Sequence, residues 1–377
     1  MREEARRLLR VTNRRRKEAG PKKMRHVAGK VHRLVCNSMT STDGYWDNRT
    51  RAVLHVSSGD VVEIETGTHL TGRMRRGTEI RQWAKWYKGL RERGPETFLY
   101  ADGATGTEQL VKGPNHATLT GPIYINEAEP GDVLEIQILD IVPKVNAFNL
   151  NPDTSFLKAG LLPEDFPRGK VRWYKADRKK MKFKFLPGIE IPFKPFPGTI
   201  GVELEAYGRW TNLAPGKHGG NIDNKELVAG TVLYIPVWVK GAGLKTGDSH
   251  LAQGDGEVNL NGLEGAFKKI ALKLTVRKEL KGLVNWPMAS TRTHWITMGF
   301  HIDLLESCKM AVRRAIEFLN KYYGLYEEDA YAFCSMAVDL HVTQVVDFTL
   351  GIHAMIPKAC FKARKYAKKN GLLLQWS

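Results

Sequence analysis

The segment Leu233-Tyr-Ile-Pro-Val-Trp-Val239 is apolar and rich in β-forming residues, and it lies between two polar, glycine-spaced clusters. The first cluster is His218-Gly-Gly-Asn-Ile-Asp-Asn224, and the second is Gly247-Asp-Ser-His-Leu-Ala-Gln-Gly-Asp-Gly-Glu257. The pattern predicts a buried strand that presents both clusters as irregular loops on a rigid base. Together the clusters contain two imidazoles and four carboxylates. Such groups repel one another unless a shared cation neutralises them, so the pattern indicates an active site that binds a divalent metal.

Strand patterns dominate the chain on both sides of this centre. They are short apolar or alternating segments, at 199–206, 230–239 and 270–277. Two further strands are predicted where tight Gly-Asp turns lead into alternating segments, at 59–60 and 131–132. Residues 80–90 instead space their apolar and aromatic residues as a helix does, and they predict a helix inserted over the sheet.

The end of the chain predicts a pair of helices. Asp303 is placed to cap the first helix, and Gly324 lies where that helix should stop. Acidic residues at 327–329 favour the start of a second helix, which is predicted to run through Leu340. Strands first and helices later predict an α+β fold, with a mainly β core of sandwich or barrel type and a C-terminal helical pair.

The bulk composition fits one large catalytic domain with a basic arm. The chain has 377 residues, enough to bury a large core, and 42% of them are hydrophobic. We predict a basic N-terminal arm over residues 1–33 and a catalytic domain over 34–377, in which a Pro-, Lys- and Phe-rich excursion occupies about 143–196. No apolar run is long enough to cross a bilayer, and the four cysteines lack CxxC spacing. We therefore expect a cytoplasmic protein without a membrane partner.

The net charge of +18 is concentrated in two segments. Residues 1–33 contain 13 Lys or Arg and three Glu, and residues 168–184 contain nine Lys or Arg and one Asp. The remainder is close to neutral, which favours solvated basic segments over a nucleic-acid-binding fold. The alternative is a polyanion- or RNA-binding protein on the same scaffold, with aromatic residues that stack on bases. Those residues are Trp173, Tyr174, Phe183 and Phe185.

Both polar clusters resemble the acetamidase/formamidase family of metal-dependent amide hydrolases. The similarity rests mainly on Gly-Asp-Ser-His-Leu-Ala-Gln-Gly-Asp-Gly-Glu at 247–257 and on His-Gly-Gly-Asn-Ile-Asp-Asn at 218–224. It extends to shorter segments, at 121–124, 129–133, 197–202, 297–299, 334–347 and 353–358. The resemblance covers roughly residues 43–361, and the basic segments 1–30 and 168–184 have no counterpart in it.

The resemblance implies hydrolysis of a short-chain aliphatic amide, formamide or acetamide, to a carboxylate and ammonia. An amide carbonyl is a poor electrophile, so the reaction needs a strong nucleophile, a stabilised oxyanion and a proton for the departing nitrogen. A divalent metal makes a bound water more acidic and polarises the carbonyl. The imidazoles favour zinc as this metal, and the carboxylates and amides leave calcium as a second or structural ion.

Roles can be assigned to the residues of the two clusters. The predicted metal ligands are His218, Asp223, Asp248 and His250. Glu257 is the predicted base, which deprotonates the water and then returns the proton to nitrogen. The predicted donors to the oxyanion or to the substrate are Asn221 and Gln253.

Each assignment has a structural alternative. His218 also fits a hydrogen-bonded residue of a glycine loop, Asp223 fits a helix N-cap, and Glu257 fits a salt-bridge partner. The sequence leaves further histidines open between pocket and core, namely His69 and His353, and it indicates a structural role for His341.

The resemblance also bears on assembly and substrate. Family members associate, and the apolar excursion would be costly on the surface of a monomer, so we expect a homo-oligomer, a dimer or larger. The chain departs from the family at 42–46 and at 258–262, where a substrate could be selected. The sequence therefore leaves the amide open among formamide, acetamide and a bulkier one.

Overall fold

The computed structural model describes residues 29–93, 96–100, 108–112 and 117–361. In these ranges the strands are β1 (Val31–Leu34), β2 (Ser41–Asp43), β3 (Tyr45–Trp46), β4 (Leu54–Val56), β5 (Val61–Ile64), β6 (Glu96–Tyr100), β7 (Glu108–Lys112), β8 (Thr118–Ile125), β9 (Val133–Pro143), β10 (Asn146–Asn151), β11 (Lys170–Asp177), β12 (Lys182–Leu186), β13 (Ile189–Pro192), β14 (Phe196–Gly201), β15 (Trp210–Thr211), β16 (Gly219–Asn221), β17 (Val232–Pro236), β18 (Ala242–Ala252), β19 (Leu263–Gly265), β20 (Phe267–Arg277), β21 (Met288–Ser290), β22 (His294–His301), β23 (Asp339–Gln344) and β24 (Leu350–Pro357). The helices are α1 (His69–Gly72), α2 (Ile80–Arg93), α3 (Leu304–Phe318) and α4 (Glu327–Ala337), with short 3₁₀ turns at Lys278–Leu280 and Lys358–Cys360.

Two large sheets form the body of the fold. The first has nine strands in the order β1-β5-β20-β9-β17-β21-β22-β24-β23. The second has eleven strands, with the path β13-β12-β11-β10-β19-β18-β14-β16 and with β8 joining β2 and β4 to β18. A third sheet of four strands, β3-β15-β6-β7, is smaller.

The two large sheets share one hydrophobic core. Ile136 and Leu272 from the first sheet and Ile200 and Leu244 from the second are fully buried members of the same cluster. Each such side chain contributes about 1.5–3 kcal/mol when it leaves water. The predicted α+β fold, with a mainly β core and a C-terminal helical pair, is confirmed.

The C-terminal helices follow the prediction at their starts. Asp303 caps α3, because its Oδ1 accepts a hydrogen bond from the Glu306 backbone N–H at 3.0 Å. The helix continues through a π-helical turn, Leu319–Tyr323, and ends at Gly324, whose φ of 73° is left-handed. The predicted extension of α4 to Leu340 is wrong: the helix ends at Ala337, and the chain enters β23, which pairs with β24.

Half of the eighteen residues of the two polar clusters lie on strands, so the prediction of irregular loops holds only for the other half. Residues 219–221 form β16 and residues 247–252 belong to β18, both in the eleven-stranded sheet. The apolar segment between them contributes β17, which lies in the other sheet. The glycines serve close strand contacts: a Cβ at Gly247 would lie 2.1 Å from the Thr118 carbonyl oxygen of β8. A side chain there would push the two strands apart.

The basic segment 168–184 contains β11 and β12, which pair in an antiparallel hairpin. Its aromatic rings pack on protein, because Tyr174 contacts Phe183 at 5.2 Å and Trp173 contacts Phe148 at 5.2 Å between ring centroids. Phe185 lies 5.8 Å from Tyr174. The rings predicted to stack on bases are thus engaged with one another or with the core.

The predicted arm is described only at its end. Residues 1–28 lie outside the described residues. Strand β1 pairs in parallel with β5, so residues 31–33 of the predicted arm belong to the nine-stranded sheet. Among the helices of the described ranges, none is long and apolar enough to cross a membrane.

Candidate metal-binding active site

Five carboxylates and two imidazoles converge in the interior beside the eleven-stranded sheet. None of these residues is more than 7% exposed: His69, Asp223, Asp248, His250, Glu257, Glu264 and Asp347. Ionisable side chains this deeply buried are rare unless they are paired or bind a metal. Three of the four predicted metal ligands and the predicted base belong to this group. We call it the acidic centre.

Strand pairing places the central residues of the acidic centre. Asp248 and His250 are two residues apart on β18, so their side chains share one face of the sheet. Glu264 on β19 is in register with His250. The His250 Nε2 atom lies 3.2 Å from Glu264 Oε1 and 3.7 Å from Asp248 Oδ2.

His69 completes the imidazole pair, although the sequence left its role open. It lies in the one-turn helix α1, and its Nε2 atom is 2.8 Å from Asp248 Oδ1 and 3.4 Å from Glu264 Oε2. The ring of Phe148 meets the imidazole edge to face, with centroids 5.4 Å apart. Packing and ion pairing therefore orient His69 toward the carboxylates.

Asn221 separates two carboxylates and has no amide hydrogen left for a substrate. Its Nδ2 donates to Asp223 Oδ2 at 2.8 Å and to Asp347 Oδ2 at 3.0 Å. Its Oδ1 accepts a hydrogen bond from Thr199 Oγ1 at 2.5 Å. In the structure Asn221 thus bridges the carboxylates of Asp223 and Asp347, and its predicted role as a donor to the oxyanion or substrate stays a prediction.

Gln253 is likewise engaged by the protein. Its Oε1 lies 2.7 Å from His250 Nδ1, where it accepts that nitrogen's hydrogen. Its Nε2 donates to the backbone carbonyls of Asp223 at 2.8 Å and Thr343 at 3.3 Å. Because the amide oxygen occupies Nδ1, it leaves Nε2 of His250 facing the carboxylates, an arrangement common behind metal-binding histidines.

Glu257 lies on the Nδ1 side of the His250 ring. Its Oε1 accepts a hydrogen bond from the Gly262 backbone N–H at 3.0 Å and is 3.8 Å from His250 Nδ1. Its Oε2 has no hydrogen-bond partner among the described residues. The predicted base is therefore present in the acidic centre with one carboxylate oxygen unused.

Among the described residues, His218 makes no contact with the acidic centre. Its ring packs edge-on against Trp46 at 5.2 Å, and neither ring nitrogen has a hydrogen-bond partner in the described part of the chain. Burial lowers the pKa of His218 to about 3, which keeps the ring neutral. The structure does not bring this predicted ligand together with Asp223, Asp248 and His250.

Other candidates of the sequence lie at the edge of the site. Asp255 pairs with Lys225 at 2.9 Å and with His341 at 3.0 Å, in a partly exposed position. His341 lies on β23, not at a helix end, and stacks on His353 with centroids 5.1 Å apart. His353 is buried and hydrogen-bonded to Thr343 at 2.8 Å.

The acidic centre has more carboxylates than positively charged partners. In the described chain, the ion-pair partners of its carboxylates are His69 and His250 alone. Burial raises the pKa of Asp223 to about 7 despite the nearby His250 ring. Burial and the neighbouring carboxylate of Asp223 raise the pKa of Glu257 and of Asp347 well above the usual range.

The pKa values of the two imidazoles are raised, and the pKa of Asp248 is lowered. Burial alone would lower the pKa of His69, but hydrogen bonds to Asp248 and Glu264 raise it to about 9. Burial would also lower the pKa of His250, and the charge of Glu264 raises it well above 6.5. Burial opposes ionisation of Asp248, yet hydrogen bonds from both imidazoles hold its pKa well below 3.8.

The backbone of the acidic centre is strained. Asp223, Asp248 and Glu257 have φ values of 51°, 48° and 50°, in the left-handed region that only glycine adopts freely. Each such conformation costs on the order of 1–3 kcal/mol and tends to occur at functional sites. Three strained acids in one site indicate that their positions serve binding or chemistry.

The donor set fits a divalent cation. Two groups have ligand atoms within 4.8 Å of one another: His69, Asp248 and Glu264, and Asp223, His250 and Glu257. Three buried carboxylate oxygens have no hydrogen-bond partner among the described residues: Asp223 Oδ1, Glu257 Oε2 and Glu264 Oε2. Gly198 leaves space above two of these ligand atoms, because a Cβ there would lie 2.6 Å from Asp223 Oδ1 and 2.8 Å from His250 Nε2.

Known proteins share this architecture. The formamidase of Methylophilus methylotrophus is 27% identical over 312 residues, which are 64% of this chain and 74% of that protein. The acetamidase of Mycolicibacterium smegmatis is 26% identical over 306 residues, 61% of this chain and 75% of that protein. The crystal structure of acetamidase from Bacillus halodurans matches with a TM-score of 0.73 and 26% identity, covering 90% of this chain and all of that chain.

The fold, the site and these relatives define an amidase. Residues 109–206 and 205–363 match the acetamidase/formamidase family, and the chain belongs to that family. The resemblance seen in the two polar clusters is thereby confirmed.

Sequence reasoning assigned no role to several residues of the acidic centre. They are Glu264 and Asp347, together with Thr199, which donates a hydrogen bond to Asn221 at the edge of the centre. Glu264 and Asp347 are single acids inside apolar segments, at 263–267 and 345–350. A lone charge in an apolar segment predicts a buried ionisable group, and that signal could have identified both.

Proposed function

We propose that this chain hydrolyses a short-chain aliphatic amide, with formamide and acetamide as the reference substrates, to a carboxylate and ammonia in a metal-dependent reaction. The observation that carries the proposal is the acidic centre itself, in which five buried carboxylates face two imidazoles and three carboxylate oxygens have no hydrogen-bond partner among the described residues. Relatives named formamidase and acetamidase support amides as the substrate class.

The residues that would hold the cation are those of the two groups that converge around His250. We assign His69, Asp223, Asp248, His250 and Glu264 as the ligand set, which keeps three of the ligands predicted from sequence and omits His218. Mixed imidazole and carboxylate donors suit zinc, and the surplus of carboxylates suits calcium as a second or structural ion. When bound, the cation supplies Lewis-acid polarisation of the carbonyl and a water of lowered pKa.

The remaining chemistry belongs to Glu257. Burial and nearby carboxylates raise its pKa well above the usual range, which favours uptake of a proton by this side chain during the reaction. Its unpartnered Oε2 is the atom that accepts the proton of the attacking water and delivers it to the departing nitrogen. Without that proton the nitrogen would leave as a poorly stabilised amide anion.

Gln253 and Asn221 position other side chains of the acidic centre. Gln253 fixes the tautomer and orientation of His250, and Asn221 keeps the carboxylates of Asp223 and Asp347 at a set separation. Both side chains reduce the reorganisation that the site needs when charge develops in the transition state.

The test is ammonia release from formamide and acetamide by purified, metal-replete protein. We expect turnover that is lost after chelation and restored by added zinc. Glu257→Gln keeps the shape of the base but removes its proton acceptor, so we expect activity to fall by about 10²–10⁴-fold with metal content unchanged. Metal-replete protein that releases no ammonia from any amide of a small panel would rule out the proposed function.

Two further features of the proposal concern the protein in the cell. We infer a cytoplasmic location and assembly into a homo-oligomer, a dimer or larger, as the sequence predicts. Light scattering of the purified protein tests the assembly, and a single monomer mass would contradict it. Fractionation of the native cell tests the location.

A further inference from the structure

A largely apolar cavity lies beside the acidic centre. Its volume is about 260 Å³, and its walls come from α2, from the excursion at 157–160, and from the segment between β23 and β24. The apolar and aromatic residues that line it include Tyr87, Leu157, Leu213, Leu260, Val346 and Phe348. A cavity with such walls suits a hydrocarbon chain better than a polar group.

The wall of the cavity is continuous along the chain with the acidic centre. The Leu260 backbone N–H donates to the Glu257 carbonyl at 3.0 Å, so the proposed base and this wall residue share one turn. Val345 and Val346 directly precede Asp347. The backbone that carries two of the five carboxylates therefore also carries three of the apolar wall residues.

The cavity is larger than formamide or acetamide requires. Its volume of about 260 Å³ exceeds what the single methyl group at the end of acetamide would fill. A larger cavity of about 700 Å³ lies beside α1, but Ser, Thr and Asn side chains make up much of its lining. Of these two cavities, the smaller, apolar one is the better match for an acyl chain.

We propose that the 260 Å³ cavity receives the acyl chain of the substrate, and that the enzyme prefers apolar amides of the size of butyramide to hexanamide over formamide and acetamide. This inference rests on the proposed amide hydrolysis and leaves its chemistry unchanged. Water oxygen joins the carbonyl carbon, the carbon–nitrogen bond breaks, and the nitrogen leaves with the transferred proton as ammonia. Leu213 and Val346 line the cavity and set the length that fits.

The experiment compares kcat/KM for formamide, acetamide, butyramide and hexanamide, measured by ammonia release from metal-replete enzyme. We expect hexanamide to exceed acetamide by at least about tenfold, because even one added methylene in an apolar pocket is worth about that factor. Val346→Phe and Leu213→Phe fill the cavity and should lower the hexanamide to acetamide ratio by at least about tenfold. Leu186→Phe, at a half-exposed position of β12 outside the cavity, is the matched control and should keep the ratio.

Each outcome decides the inference. Turnover of acetamide with no gain for longer amides overturns the role of the cavity and leaves the proposed function intact, whereas no turnover of any amide overturns both. An unchanged ratio in both filled variants also overturns the role of the cavity. If the filled variants fail to fold, Val346→Ala decides instead: it enlarges the cavity and should shift the preference toward amides longer than hexanamide.

Discussion

His250 and Glu264 face each other on adjacent antiparallel strands, with the imidazole Nε2 atom 3.2 Å from the carboxylate Oε1. The other oxygen of Glu264 lies 3.4 Å from His69 Nε2. One carboxylate thus spans both imidazoles of the acidic centre, although no role was assigned to it from the sequence. Removing its charge should disturb both at once.

Glu264→Gln is expected to lower metal affinity by about 10–100-fold and to lower kcat/KM by at least as much. The amide keeps the volume but cannot balance the charge of a cation or of the imidazoles. Metal content after dialysis and ammonia release from acetamide are the measurements. Glu129→Gln is the control, because Glu129 pairs with Lys240 at a half-exposed surface position. Full metal retention in Glu264→Gln would show that this residue is no ligand.

The sequence predicted His218 as a metal ligand, whereas the structure favours His69. One pair of variants tests which of the two binds the metal. His69→Gln should lose metal and lower kcat/KM by at least about 100-fold, since His69 contacts Asp248 and Glu264. His218→Gln should keep its metal, because His218 makes no contact with the acidic centre among the described residues. Metal analysis of both folded variants is the test. Loss of metal in His218→Gln alone would restore the ligand set predicted from sequence.

Gly198→Ala should abolish metal binding with little effect on the overall fold. The added methyl would lie 2.6 Å from Asp223 Oδ1 and 2.8 Å from His250 Nε2, two atoms of the proposed ligand set. Gly254→Ala is the control in the neighbouring motif, because a Cβ there meets nothing within 4 Å. Circular dichroism, metal content and ammonia release are compared for the two variants. Equal metal content would contradict the placement of the cation over Gly198.

The metal-free protein should lose stability as pH rises through the range in which Asp223 titrates. Burial raises the folded-state pKa of Asp223 from 3.8 to about 7, so the folded state resists ionisation that the unfolded state undergoes freely. Asp223→Asn removes this penalty. Without metal, the unfolding free energy of Asp223→Asn relative to that of the wild type should therefore rise between about pH 4 and pH 7, by more than about 1 kcal/mol. Denaturant unfolding of chelator-treated protein at several pH values is the measurement.

A bound cation should reverse that relationship. Ligands must be deprotonated to bind, so metal affinity rises with pH and binding releases protons. With saturating zinc the wild type should be more stable than Asp223→Asn at pH 7. If Asp223→Asn is more stable than the wild type both with and without zinc, Asp223 is not a metal ligand.

Local sequence signals predicted much of the fold. The cap at Asp303 and the stop at Gly324 rest on backbone chemistry confined to a few residues, so α3 could be anticipated. The end of α4 could not, because Leu340 leaves the helical pattern only through pairing with Ala354 on β24. The glycine spacing suggested an irregular loop at Gly247, but that residue lies on β18, where the nearby carbonyl of Thr118 leaves no room for a side chain.

The site was predictable where its residues fall within one motif. Asp248, His250 and Glu257 lie within ten residues, and their spacing already indicated a shared function. His69 is brought to Asp248 by tertiary contact across 179 positions, which no local pattern encodes. His218 directly precedes strand β16 and packs against Trp46, a tertiary contact that the motif itself does not reveal.

The acidic centre draws its side chains from positions as distant as His69 and Asp347. No piece of the chain that lacks either of these residues can carry it whole, so an enzyme split between them would complete the proposed cation site only after the parts reassemble. Metal uptake during refolding would therefore report the last event of assembly. A cation-sensitive signal could serve as a reporter of complete maturation in cells.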